Sequence, residues 1–230
     1  MTDRSLIATR RVLMAAAAIL TWSALALQLD VSLSLAILHG RSLGSGLVSF
    51  FGFFTVLTNL LVALVFTAEV GFSKKTSFLR RADLQSAAAV YVVIVSVVYT
   101  VLLQHLAVET GPRWLADVLL HYVIPPIYLV YWLVSVPKGT LRWLDPLRWL
   151  AYPLAYFAAS LARGALTGIY PYPFLNVQLL GFERLALNAV GLLIAFAVMG
   201  CLCVALDRAL ARATVSAPAS ASPVPRSASG

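Results

Sequence analysis

The stretch Phe50-Phe-Gly-Phe-Phe-Thr-Val-Leu-Thr-Asn-Leu-Leu-Val-Ala-Leu-Val-Phe-Thr-Ala-Glu69 carries no charge before its last residue. A helix needs roughly 20 mostly apolar residues to cross a hydrocarbon core of about 30 Å, and this segment has that length and chemistry. Working outward from it, Val12 to Leu29, Gln85 to Leu106, Asp117 to Val136, Trp149 to Leu166 and Leu185 to Leu206 qualify in the same way. Hydrophobic residues make up 61% of the chain and charged ones 11%, with a mean hydropathy of +0.89, far from the balance of a soluble domain. The expected fold is all-α: six transmembrane helices in a bundle over residues 1–212, then a disordered cytoplasmic tail over 213–230 built mainly of Ala, Ser and Pro. The first span follows basic residues and contains an alanine run, as a signal peptide does, but its apolar stretch is longer, so it is expected to be retained.

The net charge of +8 raises nucleic acid as a partner, and the placement of the basic residues argues against it. Arg4, Arg10 and Arg11 precede the first span; Lys74, Lys75, Arg80 and Arg81 follow the second; Lys138, Arg142 and Arg148 separate the fourth and fifth; Arg208, Arg212 and Arg226 follow the sixth. If the spans alternate in direction, these thirteen of seventeen basic residues share one side of the membrane. Arg41, Arg113 and Arg184 fall on the other side, and Arg163 lies inside the fifth span. The positive-inside rule then puts both termini in the cytoplasm, with the basic loops touching anionic headgroups.

Between the first two spans, Asp30 to Ser49 holds an apolar run, Val31 to Leu38, too short to cross the membrane. It reads as an interfacial loop or as a lid over the bundle. Cys201 and Cys203 stand two residues apart in the sixth span and project from different helix faces, which suits packing and not a disulfide.

Polar residues inside the spans carry the functional argument, because hydrocarbon makes each of them costly. Thr55, His121 and Arg163 lie at a similar distance from the same end of three different spans, near the outer leaflet. Thr55 and Asn59 are spaced i and i+4, so they share a helix face, while Thr58 lies to the side. Either threonine can satisfy its hydroxyl on its own backbone, which Asn59 does less easily, so Asn59 is expected to face the interior. Asp117 and His121 repeat the i, i+4 spacing, which lets the carboxylate orient the imidazole; the alternative is a histidine that merely bonds a neighbouring helix. Pro125 and Pro126 remove two backbone donors and free carbonyls one turn back, beside His121. Arg163 either snorkels to the headgroups or anchors an anionic group. Tyr99, Gln104, His105 and Asn188 gather at the same end, and Ile169-Tyr-Pro-Tyr-Pro-Phe-Leu175 leaves the fifth span extended, since each residue before a proline avoids the helical region. A threonine becomes a nucleophile only when a base takes its proton, and His121 is the base at that depth.

Phe54-Thr-Val-Leu-Thr-Asn-Leu-Leu61, His121 with proline four residues on, and Leu166-Thr-Gly-Ile-Tyr-Pro-Tyr-Pro-Phe-Leu175 resemble the androgen-induced and androgen-dependent membrane protein family. These are intramembrane threonine hydrolases of fatty acid esters of hydroxy fatty acids (FAHFA), with bacterial relatives. The resemblance covers spans two to six. It implies a lipid-ester hydrolase of a bacterial inner membrane, with Thr55 as nucleophile and His121 as base. Matching the hydroxyl gives Thr55, whereas matching the following Asn-Leu-Leu admits Thr58. Asn59 or Tyr122 is then expected to donate to the oxyanion and Arg163 to hold a substrate carboxylate, with Asp117, Thr58 and Asn188 in support. Membrane lipids and a lipid ester are the expected partners, with no nucleic acid, cofactor or metal. The competing expectations are a small transporter, a lipid-binding scaffold without catalysis, and haem held by His105 and His121.

Overall fold

The computed structural model describes residues 3–71, 78–106 and 110–215, and these are helical with no strand among them. Helix α1 runs Asp3–Leu38 and turns at Gly40, whose φ is +66°. After it come α2 (Leu43–Phe51), α3 (Phe54–Val70) and α4 (Ala82–Val98), the last extended by a π-helical turn, Tyr99–Leu103. Helix α5 (Gly111–Val118) continues through a second π-helical turn, Leu119–Val123, into α6 (Ile124–Ser135). The short α7 (Asp145–Trp149) leads to α8 (Ala151–Thr167), then a 3-10 turn, Pro173–Leu175, and finally α9 (Val177–Val215), which kinks at Gly181.

Among the described residues, four helical segments are long and apolar enough to cross a membrane: Ser5–Leu38, Ala82–Leu103, Gly111–Ser135 and Val177–Ala213. The pair α2 and α3 makes a fifth if a span bent by 74° is counted as one. Large apolar side chains such as Leu166, Phe182, Leu187 and Ile194 point outward, as they do on helices solvated by lipid.

Two expectations are corrected here. The apolar run Val31 to Leu38 is no separate interfacial segment, because nothing in it stops a helix and α1 carries on through it to the His39-Gly40 turn. The uninterrupted span expected over Phe50 to Glu69 is broken at Gly52 and Phe53, the latter with extended backbone (φ −92°, ψ 130°). Six spans are not reached by length and apolarity alone: α8 has 17 residues, about 25 Å at 1.5 Å per residue, and is ended by Gly168 in a left-handed cap. Lys74, Lys75 and the expected tail from Ser216 on lie outside the described residues.

Small residues let the backbones approach where lipid supplies no hydrophobic drive. Ala17, Ala18 and Ala24 of α1 meet Val62, Ala63 and Phe66 of α3 and Tyr128, Tyr131 and Trp132 of α6 in one buried cluster. A Cβ on Gly46 would stand 3.0 to 3.2 Å from Leu33 and Ala36, so glycine lets α2 lie close against α1 without displacing them. A second cluster, Phe54, Tyr91, Trp149, Tyr172, Leu175 and Phe196, joins α3, α4, α7 and α9. Helix α8 reaches that cluster through the rings of Tyr152 and Tyr156, which pack tilted and edge-on against Phe54.

Candidate functional site

The break before α3 decides what Thr55 can do. Residues in the first turn of a helix have no intrahelical acceptor for their N–H groups, and Phe53 caps α3 without a side-chain bond. Thr55 therefore presents both its amide and its hydroxyl at the helix N-terminus, where the backbone dipoles favour negative charge. The amide donates to the Tyr172 hydroxyl over 3.5 Å, and the same hydroxyl stands 3.5 Å from Thr55 Oγ1. Both lengths are at the outer limit of hydrogen bonding.

Thr55 Oγ1 lies 3.3 Å from His121 Nε2, with the two residues 9% and 5% exposed. The other ring nitrogen, Nδ1, is 2.9 Å from the Asp117 carbonyl oxygen. A carbonyl only accepts, so Nδ1 carries the proton and Nε2 offers its lone pair to the threonine. The Asp117 carboxylate approaches Nδ1 at 3.7 Å, close enough to stabilise an imidazolium. Tyr99 stacks on the imidazole at 3.7 Å between ring centroids, 14° from parallel.

The prolines explain how the histidine is held. Pro125 cannot donate to the carbonyl of His121 or to that of Leu120, and the ladder resumes through the π-type bond from the Ile124 amide to the Leu119 carbonyl. Ser96 Oγ donates to the freed His121 carbonyl at 2.7 Å. Asn59 Nδ2 donates to the Leu120 carbonyl at 3.4 Å and to the Thr55 carbonyl at 2.9 Å. Asn59 thus ties the backbones of the nucleophile and base candidates together, and its amide donor is used up in doing so.

The other sequence candidates do not converge on Thr55. Thr58 is fully buried on another face of α3, beside the Tyr152 hydroxyl. Tyr122 is 41% exposed and donates to Gln104 Oε1 at 2.9 Å. Asn188 donates to the Phe174 carbonyl at 3.0 Å and pins the 3-10 turn. Arg163 neither snorkels free nor lines the Thr55 cavity: its Nη1 is buried against Gly52, under the C-terminal end of α2, where a cation suits the helix dipole. His105 is exposed and pairs with Gln104 at 3.1 Å. Sequence reasoning missed Tyr172. The alternation Tyr170-Pro-Tyr172-Pro was the available signal, since it puts both rings on one side of an extended segment; Tyr170 lies on Gly164 of α8 and Tyr172 enters the site.

A cavity of about 500 Å³ opens beside the pair. Thr55, His121 and Tyr172 form its floor, α1 and α2 contribute Ser32 and Ser49, and Arg41 and Arg113 stand in its lining. A smaller cavity of about 120 Å³ touches the other side of Thr55, between α4, α8 and α9. The chain matches no protein-family model, no curated protein and no solved structure.

Proposed function

We propose that the protein is an integral membrane ester hydrolase in which Thr55 is the nucleophile and His121 the general base. The observation that carries this reading is the hydroxyl facing Nε2 of an imidazole whose other nitrogen is tied to a backbone carbonyl. Nucleophile, base and orienting group then stand in the order that activated hydroxyls require. A 3.3 Å separation suits a resting site that tightens on substrate. The developing oxyanion has the Thr55 amide and the Tyr172 hydroxyl as donors within reach. Asn59 and Tyr122 are less suited to that role, because their donors are engaged elsewhere.

In this reading the chain crosses a bacterial inner membrane six times, with α2 and α3 as one bent span, α8 as a short one and both termini cytoplasmic. The site then lies near the outer leaflet. The cavity draws lipid esters such as FAHFA, and Arg41 and Arg113, rather than Arg163, face the substrate's anionic end. Purified protein in lipid nanodiscs should release fatty acid from a branched lipid ester and label with a serine/threonine hydrolase probe. Thr55→Ala and His121→Ala should each remove both signals, by about 10²-fold or more, while the bundle stays helical by circular dichroism. Retained turnover in either variant overturns the assignment.

A small transporter or lipid-binding protein without catalysis is the second reading, supported by the broken pair α2 and α3, a device transporters use around their sites. It requires that lipid binding persist in Thr55→Ala with no ester cleaved by the parent protein.

A further inference from the structure

Two cavities meet at Thr55, and they differ in chemistry. Thr55 and Tyr172 line both, whereas His121 lines only the large one. The large cavity also collects Gln28, His39, Arg41, Arg113 and Asp117. The small one is walled by Ile94, Val98, Leu154, Phe157, Leu193 and Phe196, and among the described residues its polar side chains are the hydroxyl-bearing Thr55, Tyr156 and Tyr172. Leu154 in its lining is 44% exposed, so the wall it forms faces the surroundings of the bundle, which are lipid in this reading.

We propose that the ester is divided between these cavities, with its alcohol half in the large cavity beside His121 and its acyl half in the small apolar one. This orientation rests on the hydrolase reading above. As Thr55 Oγ1 bonds to the carbonyl carbon, His121 Nε2 takes the hydroxyl proton. When the tetrahedral adduct collapses, the bond from that carbon to the alcohol oxygen breaks, and the imidazolium returns the proton to the departing oxygen. The leaving oxygen must therefore lie on the side His121 occupies. The acyl group stays on Thr55. Water enters the space the alcohol vacates, His121 takes one proton from it, its oxygen bonds to the acyl carbon, and the bond to Oγ1 breaks as that proton returns to threonine. Both steps need His121 and access from the large cavity, and neither needs anything from the small one.

Substrate chemistry follows from the walls. An acyl half bearing a charge would find no partner among the apolar side chains that line the small cavity, a heavy penalty. The alcohol half can be bulky and can carry a polar or anionic group toward Arg41 and Arg113. Ala189 and Leu193 of α9 become the residues that select the acyl chain, and Ser49 of α2 one that selects the alcohol.

The test is a panel of esters in which acyl length varies from acetyl to hexadecanoyl on one hydroxy fatty acid, and alcohol size varies on one acyl chain, cleaved by the full chain in nanodiscs. Ala189→Phe should lower kcat/KM for the hexadecanoyl ester about tenfold relative to the acetyl ester and leave the alcohol profile unchanged. Leu193→Ala should do the opposite and admit branched acyl chains. Ser49→Phe should penalise large alcohols and spare acyl preference. Acyl profiles unchanged in both α9 variants, or an acyl shift produced by Ser49→Phe, overturn the orientation while the hydrolase reading stands. A parent protein that cleaves no member of the panel overturns both.

Discussion

The two ends of the bundle use buried polar residues in opposite ways. At the end where α1 begins and α9 finishes, buried polar groups close loose backbone ends or pair with one another. Asp207, 1% exposed, accepts from the amides of Gly139 and Leu141 at 2.9 and 3.2 Å. Asp145 accepts from the Arg142 amide at 2.8 Å, and Arg80 Nε donates to the Ala68 carbonyl at the end of α3 at 2.9 Å. Glu69 takes Arg10 and Gln85, while burial pushes the Lys138 ammonium below its ordinary value and Asp207 draws it back up. At the opposite end, Thr55, His121 and Tyr172 look into a cavity, and the polar groups around them hold up backbone that two prolines and a helix break have opened. One end is fastened and the other faces a void. Buried polarity becomes informative about function when a void adjoins it.

That contrast can be broken. The largest effect after loss of Thr55 or His121 is expected from Tyr172→Phe, which keeps the ring stacked on Phe174 and removes one hydroxyl: kcat should fall about 10²-fold with KM little changed, the pattern of a donor used in the transition state. Gly52→Ala comes next. Its Cβ would overlap the Arg163 guanidinium and stand 3.0 Å from the Val48 carbonyl oxygen, so the guanidinium must swing away from the break that positions Thr55, and activity should drop about tenfold because small misplacements are costly. Asp207→Ala should behave in the reverse manner, lowering the thermal midpoint through two stranded amides, at about 1–3 kcal/mol, while the folded fraction keeps its turnover number. Thr58→Ala should stay within about twofold of the parent in turnover, since Thr58 is buried beside Tyr152 and does not line the cavity; a dead Thr58→Ala with an active Thr55→Ala reverses the nucleophile.

Much of the candidate site was legible before any coordinates. Depth along each span put Thr55 and His121 at one level, the i, i+4 rule put Asp117 under the imidazole, and proline chemistry marked the His121 carbonyl that Ser96 captures, though not the Leu120 carbonyl that Asn59 takes. The break at Gly52 was not legible, because a lone glycine among four phenylalanines reads equally as a packing residue in a continuous span. The place of Arg163 was not legible for the same reason: its guanidinium fills the space beside Gly52 that the break creates. The extent of α1 was missed because an apolar run beyond the membrane's thickness has two homes, the interface or more helix, and local sequence does not choose between them.

The π-helical turn at Leu119–Val123 has an evolutionary corollary. One additional residue in a helical turn rotates everything beyond it by about 100°, so Asp117 and His121 can look into the cavity while Tyr128, Tyr131 and Trp132 keep their places in the packed half. The two halves of this span are thereby uncoupled in register. Mutations can remodel the segment that lines the cavity without forcing the packed half to repack.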